Sequence, residues 1–340
     1  MVRHLRSEAQ ALEASAMKVW WPMTFARTRR WMLSIVLIAV AGGFAYEQIS
    51  AARDRRELTQ IGQSIDIGDR SLNIFCSGTG TPAVVFESGA GLPGYSWVFI
   101  QREIAKVKRS CWYDRAGSGW SDSRPDPNWS DLAAEDLHKL LDRADVRPPY
   151  VLVGHSLGGL TARVYQAMYP DDVAGMVMLD PADEATSSGG GSIASRLPAP
   201  VSWALVYVAR ALAHVGVVRL FAVSGGTAPA GVTQPEWNTI ACLRNQPKVF
   251  LASIRGGPNV EQVNVERIRA VLNGKIGDIP LKVLQPVRAA ALRKQRLAAM
   301  ARRSSGGEHI LVPNTGHMIH WDAPDVVIKH VRDVLVEIER

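Results

Sequence analysis

Cysteine is scarce, with Cys76, Cys111 and Cys242 the only three in 340 residues. That is too few for a disulfide framework, and none of the three has a metal-ligand spacing, so a stapled mini-domain and a structural zinc module are both excluded. A single bridge stays open to the chain outside the cytoplasm. Internal repeats are absent as well. So is a broadly basic surface: of the net charge of +7, more than half falls in residues 1–30, where Arg3, Arg6, Lys18, Arg27, Arg29 and Arg30 face only Glu8 and Glu13. The remainder is too nearly balanced for general polyanion binding, and no nucleic-acid motif accompanies it. What is present is an ordinary globular composition, 47% hydrophobic and 21% charged, enough for a sizeable core.

Trp31 to Tyr46 (WMLSIVLIAVAGGFAY) is uncharged, follows Arg27, Arg29 and Arg30, and precedes Glu47. It reads as a membrane-engaging segment behind a basic leader, residues 1–30. As helix it would reach about 24 Å, a little short of the roughly 30 Å hydrocarbon core, which places it between signal peptide and signal anchor. The long leader and the tryptophans Trp20, Trp21 and Trp31, suited to an interfacial belt, favour an uncleaved anchor with its basic side in the cytoplasm and the globular part on the extracytoplasmic, periplasmic side. Cleavage after Ala39-Val40-Ala41 or Gly43-Phe44-Ala45 is the alternative and would give a secreted protein. Residues 51–58 (AARDRREL) read as a charged linker, and the globular part runs over 51–340.

Further on, short apolar strands alternate with helical patterns. Strands are expected within 64–77, at Ala83 to Phe86, Ser110 to Tyr113, Val151 to Val153, Ala174 to Leu179, Ile279 to Leu284 and His309 to Val312. Helices are expected over 97–108, over 129–146 with Ser130 as a plausible N-cap, and from Pro324 to the end. Strand and helix at this interval give parallel strands joined by crossover helices, a doubly wound α/β sheet. Residues 182–192 are small and polar, a hinge by composition. Helical spacing then fills 199–222, 236–254 and 260–272, so 183–278 reads as an all-helical insertion in the position of a cap. A basic helix is expected over 286–303.

The chemistry centres on Val151 to Leu160, an apolar strand that breaks into Gly154-His155-Ser156-Leu157-Gly158 and turns helical. A sharp strand-to-helix turn lifts the Ser156 hydroxyl above the sheet edge, beside the N–H groups of the next helix, and needs side-chain-free flanks at Gly154 and Gly158. A serine hydroxyl needs a base. Of eight histidines, His317 stands in a turn directly after the last strand, on the elbow's sheet edge; His320 is the second choice. The base needs a carboxylate at a strand end to fix its tautomer. The strand ending at Leu284 offers none, whereas Asp180 follows the strand before it, with Asp183 the fallback. An oxyanion hole is expected from the N–H of Leu157 and that of Ala90, which lies between Gly89 and Gly91 in the loop after residues 83–86.

The Gly-His-Ser-Leu-Gly-Gly elbow, the Asp114-Arg115-Ala116-Gly117-Ser118-Gly119-Trp120-Ser121 loop and the Thr315-Gly316-His317 turn, in this order, resemble the α/β-hydrolase fold superfamily, in particular its capped bacterial carboxylesterase or lipase-like members. The resemblance covers roughly residues 60–340. It implies a mostly parallel eight-stranded sheet, a helical cap after the sixth strand, a triad on Ser156, Asp180 and His317, no metal or organic cofactor, and a small-molecule ester substrate. It also implies that the Cys76 and Cys111 strands are sheet neighbours and can share a disulfide. Two departures stand out: Ser88-Gly89 replaces the usual His-Gly after the third strand, and the usual acid after the seventh strand is missing. A serine nucleophile disfavours the epoxide-hydrolase and haloalkane-dehalogenase branches, which form an alkyl-enzyme ester. An aminopeptidase or perhydrolase would use the same triad, with Glu184 or Glu236 lining the pocket as the mark of a peptidase. From another class, the missing acid admits a catalytically inactive ligand-binding homologue.

Overall fold

The structure is a computed structural model that describes residues 2–340 apart from 125–129, 184–196, 221–225, 254–259, 273 and 275. The apolar runs at 83–86 and 151–153 have no polar face to offer water, and both become interior strands, buried along their whole length. They belong to one eight-stranded sheet: β1 (Gln63–Asp66), β2 (Ser71–Ser77), β3 (Ala83–Glu87), β4 (Ser110–Tyr113), β5 (Tyr150–His155), β6 (Val173–Leu179), β7 (Leu281–Pro286) and β8 (Gly307–Val312). The order across the sheet is β1-β2-β4-β3-β5-β6-β7-β8. β2 runs antiparallel to β1 and β4, and all other pairs are parallel. Cys76 stands opposite Cys111 in the β2–β4 register, and the two form a disulfide.

Helices cover both faces. On one side α3 (Ser130–Arg143) and α4 (Leu157–Met168) bring Leu137, Leu140, Leu141, Leu160 and Val164 against Val85, Leu152 and Met178. On the other, α2 (Val98–Ile104) and the C-terminal helix Pro324–Ile338 bring Ile100, Ile104, Val327, Val331 and Val334 against Val84, Val153 and Val177. The alternate residues of each interior strand serve opposite cores, which is why these strands are apolar throughout rather than alternating.

Between β6 and β7 the described residues hold α5 (Ala199–His214), α6 (Val217–Leu220), α7 (Gln234–Arg244), α8 (Pro247–Ser253) and α9 (Val260–Val271). After β7 come α10 (Ala291–Ala301), α11 (Ile319–Asp322) and α12 (Pro324–Ile338). The hinge expected at 182–192 lies almost wholly outside the described residues.

Several boundaries differ from the sequence reading. The helix expected over 199–222 breaks after His214, because Gly216 takes φ +78° where the chain meets the N-terminal helix. The run 236–254 divides at Asn245-Gln246, where Pro247 lacks the N–H needed to continue a helix. The basic helix is shorter than 286–303: Pro286 ends β7, residues 287–290 form a turn, and the helix runs Ala291–Ala301. The linker expected at 51–58 is helical instead: α1 (Val2–Glu57) runs straight through it, aided by the Arg53–Glu57 pair one turn apart. Within α1, Arg27–Asp54 is long and apolar enough to cross a membrane, and its residues 27–42 are exposed.

Candidate active site

Ser156 sits between β5 and α4 at φ 54°, ψ −118°, a left-handed conformation that costs a non-glycine residue roughly 1–3 kcal/mol and persists only under firm support. The support is close packing. A Cβ on Gly158 would lie 2.2 Å from the Glu87 carbonyl oxygen, and one on Gly154 would lie 2.7 Å from the Gly158 carbonyl oxygen. The Ser156 N–H donates to the Leu179 carbonyl at 3.0 Å, tying the elbow to β6.

Three strands deliver three side chains to one sheet edge. Asp180 follows β6, itself at φ 38°, with its N–H on the Leu284 carbonyl at 2.7 Å. His317 follows β8 in a turn held by the Gly316 N–H on Asp322 Oδ2 at 2.7 Å. The structure brings the three together: His317 Nε2 is 3.0 Å from Ser156 Oγ, and His317 Nδ1 is 2.6 Å from Asp180 Oδ2. An Nδ1–H donated to the carboxylate leaves Nε2 with its lone pair toward the serine. Asp183 points elsewhere, pairing with Arg296 Nε at 3.0 Å. His320 is buried between the rings of Trp97 and His155.

Burial works to raise the Asp180 carboxyl, but hydrogen bonds from His317 and Arg293 outweigh it and hold the group below its ordinary value. Arg293 escaped the sequence reading. From α10 its Nε and Nη2 reach Asp180 Oδ1 at 3.0 and 2.8 Å, and Nη2 also donates to the Asp180 carbonyl at 3.2 Å. Beneath the site, His155 donates from Nε2 to the His317 carbonyl at 2.9 Å. Burial, with His317 alongside, pushes the His155 imidazole down to about 4, so it stays neutral.

The loop after β3 leaves the sheet beside the elbow, because Glu87 pairs with Gly154 in the β3–β5 register. Ala90 stands exposed at its turn, and Leu157 is the first residue of α4. Arg115 grips this loop, donating to the Ser88 carbonyl at 2.7 Å, to the Gly89 carbonyl at 2.9 Å, and to buried Glu87, whose carboxylate also accepts from Tyr113. Burial raises the Glu87 carboxyl even against this arginine. Asp114 is structural: buried, it accepts from the N–H groups of Gly94 and Trp120 at 2.6 and 3.0 Å and from Asn73 Nδ2 at 3.0 Å. Ser88 turns its hydroxyl inward to the Pro93 carbonyl. Glu236 forms the capping box of α7 and pairs with Arg102 at 2.8 Å, and Glu184 lies outside the described residues. Among the described residues, no three His, Cys, Asp or Glu side chains are grouped to hold a metal ion.

A sheet of this order, a serine on a strained strand-to-helix turn, and a histidine and an aspartate arriving from later strands define the architecture of an α/β hydrolase. A family model described as the alpha/beta hydrolase fold matches residues 82–225. The chain has the α/β-hydrolase fold. Among solved structures, a thermophilic esterase from Thermogutta terrifontis superposes with a TM-score of 0.56 at 20% identity, covering 82% of this chain and 99% of that one. A laboratory-evolved variant of a potato epoxide hydrolase gives a TM-score of 0.62 at 18% identity, covering 82% of this chain and 100% of that one. Of the curated relatives, the uncharacterized protein YbdG of Bacillus subtilis is 26% identical over 151 residues, 44% of this chain and 46% of that protein. The match thus spans less than half of that relative's length.

Proposed function

We propose that this chain is a serine hydrolase that cleaves carboxylic esters with an apolar acyl or alcohol part, held at a membrane by α1. The observation that carries the reading is His317, set between Ser156 Oγ at 3.0 Å and Asp180 Oδ2 at 2.6 Å. His317 takes the Ser156 proton as Oγ attacks the ester carbonyl, and Asp180 stabilises the imidazolium that forms. The N–H groups of Leu157 and Ala90 receive the oxyanion. His317 then protonates the departing alkoxide, the acyl group stays on Ser156, and the same histidine activates the water that releases the acid. Serine at position 156 supports ester over epoxide chemistry, because opening an epoxide through an alkyl-enzyme ester needs a carboxylate there. Glu236, committed to Arg102 and the α7 cap, lends no support to the peptidase variant.

The test is a fluorophosphonate probe on the full chain, with the modified residue found by mass spectrometry. Label is expected on Ser156, absent in Ser156→Ala, and slowed about a hundredfold or more in His317→Ala and Asp180→Asn, in line with loss of general-base assistance. A folded wild-type chain that takes no label would overturn the reading in favour of an inactive ligand-binding homologue.

A further inference from the structure

The structure points to a second membrane contact, in the segment between β6 and β7. We propose that the outer face of α5 lies in the lipid–water interface of the bilayer that α1 crosses. The inference rests on the reading of α1 as a membrane helix.

A helix facing water carries charge on its outer side. The outer side of α5 carries Val201, Trp203, Leu205, Tyr207, Val208 and Leu212, all exposed, Tyr207 by 62% and Val208 by 54%. Arg210 is half-buried, and among the described residues of the helix only His214, at its end, adds an exposed group able to carry a positive charge. Single exposed apolar side chains need no explanation, but six large ones on one helix form a patch that calls for a partner. Trp203 and Tyr207, with ring centroids 6.3 Å apart, are the two residue types that settle where one end of the side chain is apolar and the other wet.

The position of α5 identifies that partner as lipid. α5 and the turn after it are clamped to α1 at the level where its uncharged run ends. A Cβ on Gly43 would lie 2.5 Å from the Val215 carbonyl oxygen, and one on Gly216 would lie 2.8 Å from Tyr46 Cδ1, so the two backbones meet through glycines. Arg219 then closes the joint, with Nε 2.9 Å from Glu47 Oε2 and Nη1 2.7 Å from Asp54 Oδ2. Glu47 is the first charge after the run Trp31 to Tyr46. The clamp therefore sets α5 at the depth where α1 leaves the hydrocarbon, next to the exposed Phe44 and Tyr46 of α1. This is the level at which an interfacial helix rests, about 5–10 Å into the headgroup and acyl boundary. α5 in turn packs on α8, whose Val249 and Ala252 lie over Gly91 and Gly117. One helix layer thus separates the interfacial face from the loop after β3.

The test uses the full chain carrying Cys242→Ser, with a single environment-sensitive fluorophore on Leu205→Cys, Val208→Cys, Ile38→Cys in α1, or Lys139→Cys on the exposed side of α3, in vesicles of phosphatidylcholine and phosphatidylglycerol. Thermal unfolding of each variant reports its fold. Lipid-borne nitroxides are expected to quench positions 205 and 208 about threefold more than 139, with aqueous iodide showing the reverse order, as for a helix seated in the interface. Iodide access at 205 and 208 with lipid quenching at 38 would overturn the inference and leave the α1 reading standing. Iodide access at 38 would overturn both. Shielding of 205 and 208 from both quenchers would mean that a second copy of the chain covers the face, and would also overturn the inference.

Discussion

At Asp180 two influences act on one carboxyl. Burial favours the neutral acid, the hydrogen bonds from His317 and Arg293 favour the carboxylate, and the second influence prevails. Removing Arg293 as Arg293→Met takes away two charge-assisted hydrogen bonds while keeping most of the side-chain volume. The Asp180 pKa then rises, so the carboxylate is lost at a higher pH as acid is added. The acid limb of the kcat/KM profile for a soluble ester should move upward, with kcat falling about tenfold, roughly 1.4 kcal/mol. An unchanged acid limb would reduce Arg293 to a packing role. His155 gives a second titration of known sign. Its folded pKa is about 4, against roughly 6.5 in an unfolded chain. The unfolded chain therefore binds the extra proton first. Stability from this group is fully present above pH 6.5 and is lost as pH falls toward 4, about 3 kcal/mol in all. His320, buried against His155 and shifted the same way, adds to the slope. Urea midpoints measured over this range should fall in the wild type and fall less in His155→Asn; parallel curves would refute the assignment.

At the level of elements, what could be read from sequence and what could not divide by distance along the chain. The elbow is local: Gly154, Ser156 and Gly158 sit within five residues between an apolar strand and a helix, and each glycine sits where a Cβ would collide with backbone. The placement of Asp180 and His317 at strand ends on the elbow's edge is legible because the alternation of strand and helix fixes where each strand stops. Arg293 was not legible. It lies 113 residues from Asp180, on a helix whose arginines resemble a solvated face, and no local pattern says that one of them turns toward a strand end. Arg115 escaped for the same reason, since its partners Ser88 and Gly89 belong to another crossing of the sheet. The breaks at Gly216 and Pro247 fell inside runs whose periodicity reads equally well as continuous helix. The Cys76–Cys111 bridge joins β2 to β4 across 35 residues of sequence. Closing a loop of that length removes denatured-state entropy of about 4 kcal/mol, so Cys76→Ala/Cys111→Ala should lower the urea midpoint by a corresponding amount with the fold retained. A loss under about 1 kcal/mol would mean that the antiparallel pairing holds this edge without the bridge.

Across the whole molecule, the sheet domain and α1 are joined through the insertion rather than through the peptide chain alone. The joint is one arginine between two carboxylates and is largely enclosed: the Arg219 side chain is 11% exposed, that of Glu47 7% and that of Asp54 16%. A cluster this enclosed gains little over an apolar contact of the same shape, but removing the arginine leaves two poorly solvated carboxylates with no counterion from Arg219, at about 3–5 kcal/mol. Arg219→Met should therefore loosen the joint selectively. Hydrogen exchange on the full chain in vesicles should show faster exchange at residues 43–57 and 215–220, while β5 and β6, in the middle of the sheet, keep their protection. Adding Glu47→Gln removes one of the two stranded carboxylates and should restore part of the protection, whereas simple loss of packing would not be recovered by a second substitution. Exchange left unchanged at both segments in Arg219→Met would show that the glycine contacts at Gly43 and Gly216 hold α1 without the ion pair. In that case the close approach at the two glycines holds the insertion against α1 by shape alone.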